Sequence, residues 1–281
     1  MTKADARAHL IAQLTPRYGA GEATAMARIV FEDVFGQPAA FDESQFQAIC
    51  QRLVAGEPVQ YVLGEADFFG LKFKVNPAVL IPRQETEELV AWVLEHLKTN
   101  QLAAADLLDI GLGSGCIGTT LRRKWPALRL WGLEKSPAAL ALATENAARL
   151  LGEPADFRFV LGDILVPADW AQFPALDVVV SNPPYIPQAE KNLMPEHVLA
   201  HEPALALFVD DADPLLFYRA IADFSLKKLK SGGALFFECN EFNASNVADL
   251  LREKGFQNVE LRRDLAGAER MVRGVFYFTS T

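Results

Sequence analysis

The chain lacks most of the features that would send it out of the cell, into a bilayer or onto nucleic acid. It has only three cysteines in 281 residues, Cys50, Cys116 and Cys239, far apart and without paired spacing. That excludes a disulfide framework and a cysteine-rich zinc module, and it predicts buried, reduced thiols. Long apolar runs are missing too. The run between Asp177 and Ser181 holds three valines and is strand-sized, well short of the ~20 residues a membrane helix needs. The opening MTKADARAHLIAQL carries Asp5, Arg7 and His9 and so forms no signal-peptide core. A cytoplasmic location, with no membrane partner, is the expectation. Positive charge is in short supply: 27 Lys and Arg stand against 36 Asp and Glu, for a net charge of −9. A protein that grips phosphates by itself carries the opposite balance, so no direct DNA substrate is expected. The four histidines, His9, His96, His197 and His201, do not have metal-ligand spacing, and they read as structural residues with no metal bound.

What is present is an ordinary globular composition, 51% hydrophobic and 22% charged, enough to bury a sizeable core. Residues 1–55 carry apolar residues at helical spacing: Ala8, Leu10, Ile11 and Leu14, then Ala27, Val30, Phe31, Val34 and Phe35, then Phe46, Ile49, Leu53 and Val54. Gly19, Gly36, Pro38 and Gly56 punctuate them, and Asp42 with Gln45 resembles an N-cap with its capping-box partner. A small helical domain is expected there. Residues 56–83 alternate around Phe68, Phe69, Phe73, Val75 and Val79 across Gly70 and Pro77, which predicts a β-hairpin connector.

A helix is expected from about Gln84 to Lys98, its first turns holding Glu85, Glu87 and Glu88. Strands and helices then alternate. Strands are expected over Leu107–Ile110, Leu128–Leu133, Phe157–Leu161, Val178–Ser181, Ala234–Cys239, Val259–Arg263 and Gly274–Thr279. Helices are expected over Cys116–Trp125, Pro137–Leu151, Leu215–Leu229 and Ala244–Lys254. This alternation makes residues 84–281 an α/β domain with a mainly parallel sheet, its last two strands antiparallel. In such sheets ligands bind at the C-terminal strand ends, near the switch point.

Two motifs sit at such ends. The first is Asp109-Ile-Gly111-Leu112-Gly113-Ser114-Gly115-Cys-Ile-Gly118, with Glu134 closing the following strand. Glycines admit close backbone approach and positive φ, and an ionised carboxylate can accept both hydroxyls of a ribose. Gly113 to Gly118 is also literally G-x-G-x-x-G, the dinucleotide fingerprint. Gly111 extends the glycine series, and Asp109 stands where a carboxylate can meet a cationic, amine-bearing ligand and repel a pyrophosphate. Both favour S-adenosylmethionine over a dinucleotide; an ordinary buried or capping Asp109 is the plainer reading. Asp163 and Ile164 follow the third strand. Asp163 either reaches an adenine amino group, with Ile164 on the ring face, or caps the next segment.

The second motif is Ser181-Asn182-Pro183-Pro184-Tyr185-Ile186-Pro187. Two prolines remove two N–H donors, leaving acceptors, the Asn182 side-chain oxygen and the Pro183 carbonyl. These suit a planar NH₂ group, which offers two donors and no acceptor. The lone pair of an amide or aryl amine is delocalised and poorly nucleophilic. Two acceptors that hold its hydrogens favour pyramidalisation and aim the lone pair at an electrophilic methyl. No general base is needed beforehand, because the proton becomes acidic only after transfer. Tyr185 offers a flat wall beside the planar group.

Taken together, the chain resembles the HemK-type release factor glutamine methyltransferases over nearly its whole length. Pro58-Val-Gln-Tyr61-Val-Leu-Gly64-Glu-Ala-Asp-Phe68-Phe69-Gly70, Leu80-Ile-Pro82-Arg83-Gln84-Glu85-Thr86-Glu87, the glycine loop, Glu134, Asn182-Pro-Pro-Tyr-Ile, His201-Glu-Pro-Ala-Leu and Asp264-Leu-Ala-Gly follow in family order. The resemblance implies a seven-stranded, Rossmann-like S-adenosylmethionine methyltransferase domain and a helical N-terminal domain that docks substrate. It implies a Gly-Gly-Gln loop of class I release factors as partner, methylated at the glutamine amide nitrogen. The expected cofactor-binding residues are Asp109, Gly111, Leu112, Gly113, Ser114, Gly115, Glu134, Asp163, Ile164 and Asn182; the expected catalytic ones are Asn182, Pro183, Pro184 and Tyr185. The chain departs from the family pattern at Gln84, where Pro is usual, and at Glu134, where Asp is commoner. It departs again at Phe237-Glu-Cys-Asn and at Ala268-Glu269-Arg270, which lacks an arginine. Alternatives from other classes are a ribosomal-protein glutamine methyltransferase, a nucleic acid amino methyltransferase, a dinucleotide oxidoreductase and a non-catalytic binding module.

Overall fold

The computed structural model describes residues 1–36, 41–152 and 157–278. Helix α1 (Lys3–Asp33) starts on a capping box in which the Thr2 hydroxyl accepts from the Asp5 N–H at 3.1 Å, and Asp5 accepts in return from the Thr2 N–H. Gly19 breaks it, with φ 77° and ψ 162°, into two helical arms. Helix α2 (Glu43–Val54) is capped by Asp42, which accepts from the N–H groups of Ser44 and Gln45. Pro38 lies outside the described residues.

The helical core extends past residue 55. Val59 and Val62 of a short helix that was not expected, α3 (Val59–Leu63), pack with Leu10, Leu14, Phe46 and Leu53. The hairpin is β1 (Glu65–Phe68) against β2 (Leu71–Lys74), antiparallel. Its Phe68 and Phe73 rings meet edge to face at 6.0 Å and join the core beneath α4 (Gln84–Thr99).

The remaining elements are β3 (Asp106–Ile110), α5 (Cys116–Lys124), β4 (Arg129–Glu134), α6 (Pro137–Leu151), β5 (Phe157–Leu161), β6 (Leu176–Ser181) and β7 (Ile186–Pro187). After them come α7 (Glu196–His201), α8 (Ala204–Leu207), β8 (Phe208–Val209), α9 (Leu216–Lys228), β9 (Leu229–Glu238), α10 (Ala244–Glu253), β10 (Gln257–Arg263) and β11 (Glu269–Val275). The main sheet is seven-stranded, in the order β10-β11-β9-β6-β3-β4-β5. β9, β6, β3, β4 and β5 run parallel; β11 and β10 are antiparallel. Its two faces divide the strand residues by the period of two. Leu108, Ile110, Val179, Leu235 and Phe237 pack toward α9 and α10, while Leu107, Val178, Val180, Ala234 and Phe236 pack toward α4 and α5. Cys50, Cys116 and Cys239 are free and buried.

Two expectations fail in detail. The last strand begins at Glu269 rather than Gly274, and the part expected at Thr279 lies outside the described residues. A tight turn explains the early start. Asp264 accepts from the Ala268 N–H and from Arg270, and Gly267 takes a positive φ of 90°, so β11 pairs with β10 almost at once. The second surprise is the segment after Pro187, where no element was expected. β7 pairs parallel with β8, and α8, just before β8, brings Leu205 and Ala206 to the cavity at the C-terminal strand ends.

Candidate active site

The chain order of the strands reverses beside β3: β4 and β5 lie on one side of it and β6 on the other. Register fixes what meets at this switch point. Ser181 is the partner of Ile110 on one side and of Phe237 on the other, and its hydroxyl donates to the Ile110 carbonyl at 2.7 Å. The next residue along each strand is Gly111, Asn182 and Glu238. Three segments distant in sequence therefore leave the sheet in one row.

A cavity of about 280 Å³ opens above that row. Its wall holds Gly111, Leu112, Gly113 and Ser114 from the glycine loop, Glu134, Asp163 and Ile164, and Asn182, Pro183 and Pro184. Gly111 and Gly113 have φ of +78° and +53°, and a Cβ at either would point into open space within the site. Glu134 is buried, and each of its oxygens accepts one backbone N–H, from Gly113 at 3.0 Å and from Ser136 at 2.8 Å. Each oxygen keeps a further lone pair for a ligand hydroxyl. Asp163 lies in the wall paired to Lys135 at 2.8 Å, and its other oxygen accepts from the Leu165 N–H at 2.9 Å, the capping role that was one of its two readings.

Three expected site residues stand elsewhere. Asp109 is fully buried and outside the wall. Its carboxylate turns back against α5 and accepts from the Gly118 N–H at 2.9 Å, while its other oxygen has no partner among the described residues. Burial, with Glu134 adding repulsion, pushes its carboxyl up to about 8. It secures the loop from behind rather than meeting a ligand. Gly115 also leaves the wall. It is the residue that caps α5, and a Cβ there would stand 3.2 Å from the Ala143 Cβ, so it serves the approach of α5 to α6. Tyr185 packs beside the core of β6 and β9, close to Glu238 and Arg270, and does not form the flat wall expected of it.

Residues outside the two motifs complete the cavity. Val79 to Arg83 form one side, and Pro203, Leu205 and Ala206 form another. Glu202 joins the two sides: its buried carboxylate accepts from Arg83 and from the Ile81 N–H. This gives the Ile-Pro-Arg and His-Glu-Pro-Ala-Leu signatures a shared physical role. Sequence reasoning also missed Thr86, which lines the cavity next to Asn182, and Glu238, which lies behind them. The signal available for Glu238 was an acid closing the apolar strand Ala-Leu-Phe-Phe; Thr86 stood within the Leu80–Glu87 signature, but nothing in its spacing assigned it a role.

Residues 80–207 match the family described as Methyltransferase small domain. The chain is 42% identical over 230 residues to the release factor glutamine methyltransferase of Flavobacterium psychrophilum, covering 82% of this chain and 79% of that one. It is 39% identical over 230 residues to the enzyme of that name from Bacteroides thetaiotaomicron, covering 82% and 80%. The chain belongs to the release factor glutamine methyltransferase family. Among solved structures it is similar to a methyltransferase from Pyrococcus furiosus, with a TM-score of 0.51 at 16% identity, covering 85% of this chain and 100% of that one. It is also similar to the hMettl16 catalytic domain in complex with an RNA hairpin, with a TM-score of 0.57 at 15% identity, covering 89% and 88%. These two establish the fold.

Membership makes the chain an S-adenosylmethionine-dependent methyltransferase, and the cavity fits that cofactor better than a dinucleotide. All three glycines of the G-x-G-x-x-G stretch have already committed their N–H groups: Gly113 to Glu134, Gly115 to the Leu112 carbonyl at 2.7 Å, and Gly118 to Asp109. Those three donors are taken by the protein's own acceptors and are not offered to a pyrophosphate. Glu134 stands in the cavity wall at this loop and favours a cation over an anion. Among the described residues, no helix is long and apolar enough to cross a membrane.

Proposed function

We propose that the chain methylates the side-chain amide nitrogen of the glutamine in a Gly-Gly-Gln loop of class I translation release factors. The observation that carries this reading is the presence of Asn182 and Pro183 in the same cavity wall as Gly111, Gly113 and Glu134. Cofactor and target therefore meet in one space. Bound S-adenosylmethionine supplies an electrophilic methyl group on a sulfonium.

The chain's own residues do the rest. Glu134 holds the ribose hydroxyls, and Gly111 and Gly113 leave room for the ligand against the backbone. Asn182 donates its NH₂ to the Thr86 hydroxyl at 3.3 Å, which leaves its oxygen free to accept. That oxygen and the Pro183 carbonyl take the two hydrogens of the target amide and aim its lone pair. Pro183 and Pro184 carry no N–H that could compete for the target's oxygen.

The test is transfer of labelled methyl from the cofactor. A release factor containing Gly-Gly-Gln should accept label; its Gln→Glu version should accept none, since a carboxylate has no NH₂. DNA should remain unlabelled. Labelling of the Gln→Glu protein, of ribosomal protein alone or of nucleic acid would overturn the assignment.

A further inference from the structure

An asparagine works as an acceptor only if its amide is turned the right way, because its two ends differ only in hydrogen-bonding sense. In this site the choice is made by Thr86, beside Asn182 in the cavity wall, and by Glu238 behind them. Glu238 closes β9 and is 2% exposed. Its Oε2 accepts from the Thr86 hydroxyl at 2.7 Å, and Thr86 accepts in turn from the Asn182 Nδ2 at 3.3 Å. An ionised carboxylate can only accept, so the hydroxyl that donates to it must accept from its other neighbour. The group facing this pair must be the NH₂ of Asn182, which leaves the oxygen for the cavity.

We propose that Glu238 is a positioning residue which, with Thr86 as relay, sets the Asn182 amide so that its oxygen faces the target nitrogen. This rests on Asn182 as the acceptor for the target amide. The three residues lie 152 and 96 positions apart in the pairs Thr86–Glu238 and Thr86–Asn182, and β6 and β9 bring Asn182 and Glu238 side by side. The stability of the fold does not require such an arrangement: a buried carboxylate with no cation hydrogen-bonded to it is costly. Burial pushes the Glu238 carboxyl up to about 7. The charged and titratable groups facing it are Arg270 from β11, Glu85 from α4, Cys116 from α5, Tyr218 from α9, and Tyr185 and Cys239. When Glu238 takes a proton it gains a donor, and the relay no longer dictates the orientation of Asn182.

Three variants test the relay. Thr86→Val keeps the shape of the side chain and removes the hydroxyl, Thr86→Ser keeps the hydroxyl, and Glu238→Gln removes the acceptor-only group. With the release factor as substrate, Thr86→Val should lower kcat about 10-fold, less than the roughly 10²-fold cost of losing a preorganised hydrogen bond to the target itself, while KM and cofactor affinity move less than about 3-fold. Thr86→Ser should restore most of that loss. Glu238→Gln should lower kcat similarly and abolish the fall in wild-type turnover toward acid. A second readout does not depend on turnover. In protein labelled with an NMR-active nitrogen isotope, the Asn182 NH₂ signal, assigned by its absence in Asn182→Ala, should exchange slowly with water in the wild type and quickly in Thr86→Val and Glu238→Gln. Unchanged kcat in Thr86→Val, loss of activity in Thr86→Ser equal to that in Thr86→Val, or an unchanged Asn182 exchange rate would overturn the proposal. Failure of the wild type to label release factor would instead overturn the substrate reading, and the exchange measurement would still decide the relay.

Discussion

The two ends of the central strands carry similar acids in opposite circumstances. At the N-terminal end, Asp106 is buried beside Asp177. Arg129 clasps Asp106 through two hydrogen bonds, at 2.7 and 2.6 Å, and Lys230 bridges both acids at 3.2 and 2.7 Å. Burial alone would push the Asp106 carboxyl up; the bonds from Arg129, Lys230 and Trp131 hold it below the usual carboxylate range. At the C-terminal end, Asp109, Glu134 and Glu238 are also buried, and among the described residues their hydrogen bonds come from backbone N–H groups and a side-chain hydroxyl rather than from cations. One end is neutralised and closes the sheet. The other leaves Glu134 in a cavity wall with only backbone N–H partners among the described residues, where a cationic ligand can meet it. A sheet of this kind separates its stability from its chemistry by about the length of one strand.

The sharpest way to break this comparison is at Asn182. Asn182→Ala should reduce turnover about 10²-fold or more, with cofactor affinity nearly unchanged, because the lost bond matters most as the target nitrogen becomes tetrahedral. Single-turnover kinetics beside calorimetry check this; full turnover in the variant would refute the two-acceptor mechanism. Next in size is Glu134→Ala. It should weaken cofactor binding by about 1.5–3 kcal/mol, the range for a hydrogen bond to a charged group. The Gly113 and Ser136 N–H groups lose their partner in the same step, so the loss should lie toward the top of that range. Tight NAD binding without S-adenosylmethionine binding, measured by calorimetry, would reject the site assignment.

Smaller effects sharpen the contrast. Asp106→Ala should cost about 1–2 kcal/mol of stability, since Arg129 is 56% exposed and solvent screens much of the pair. Its kcat and KM should match the wild type. A substantial change in kcat would show that the two ends are coupled. The subtlest test concerns Asp109. Its carboxyl sits near 8 in the folded chain and close to 3.9 in the unfolded one. Between those values the folded state holds a proton that the unfolded state has released, so this group's contribution to stability falls as pH rises through the window. Asp109→Asn removes that titration. The melting temperature of the variant relative to the wild type should therefore climb from pH 5 to pH 8, and a difference that stays flat would mean that Asp109 is charged in the fold.

The elements that could be read in advance share a cause. β3, β4 and β6 announce themselves because buried parallel strands are short, nearly continuous apolar runs, and Gly and Pro mark their ends. Their C-terminal boundaries at Ile110, Glu134 and Ser181 carry the chemistry, so Gly111, Glu134 and Asn182 were accessible from the same signal. The segment over residues 188–207 was opaque because its short helices and two-residue strands have no repeat long enough to show a period. Asp109 misled for a different reason. A carboxylate next to a ligand loop can turn toward the ligand or back toward the helix, and sequence does not encode which.

By itself, then, the sequence determined the alternation of strands and helices, the glycine loop, the acid after the second strand and the acceptor-rich turn at Asn182, since each depends on residues adjacent in the chain. The tertiary structure alone decided that Asp109 and Gly115 support the loop rather than line the cavity, that Glu202 joins two walls, and that Thr86 and Glu238 meet Asn182. The physical reason is the same each time. These roles depend on hydrogen-bond partners that only the register of the sheet and the packing of α4 and α5 bring within reach, and a buried polar group takes its role from the partner it finds.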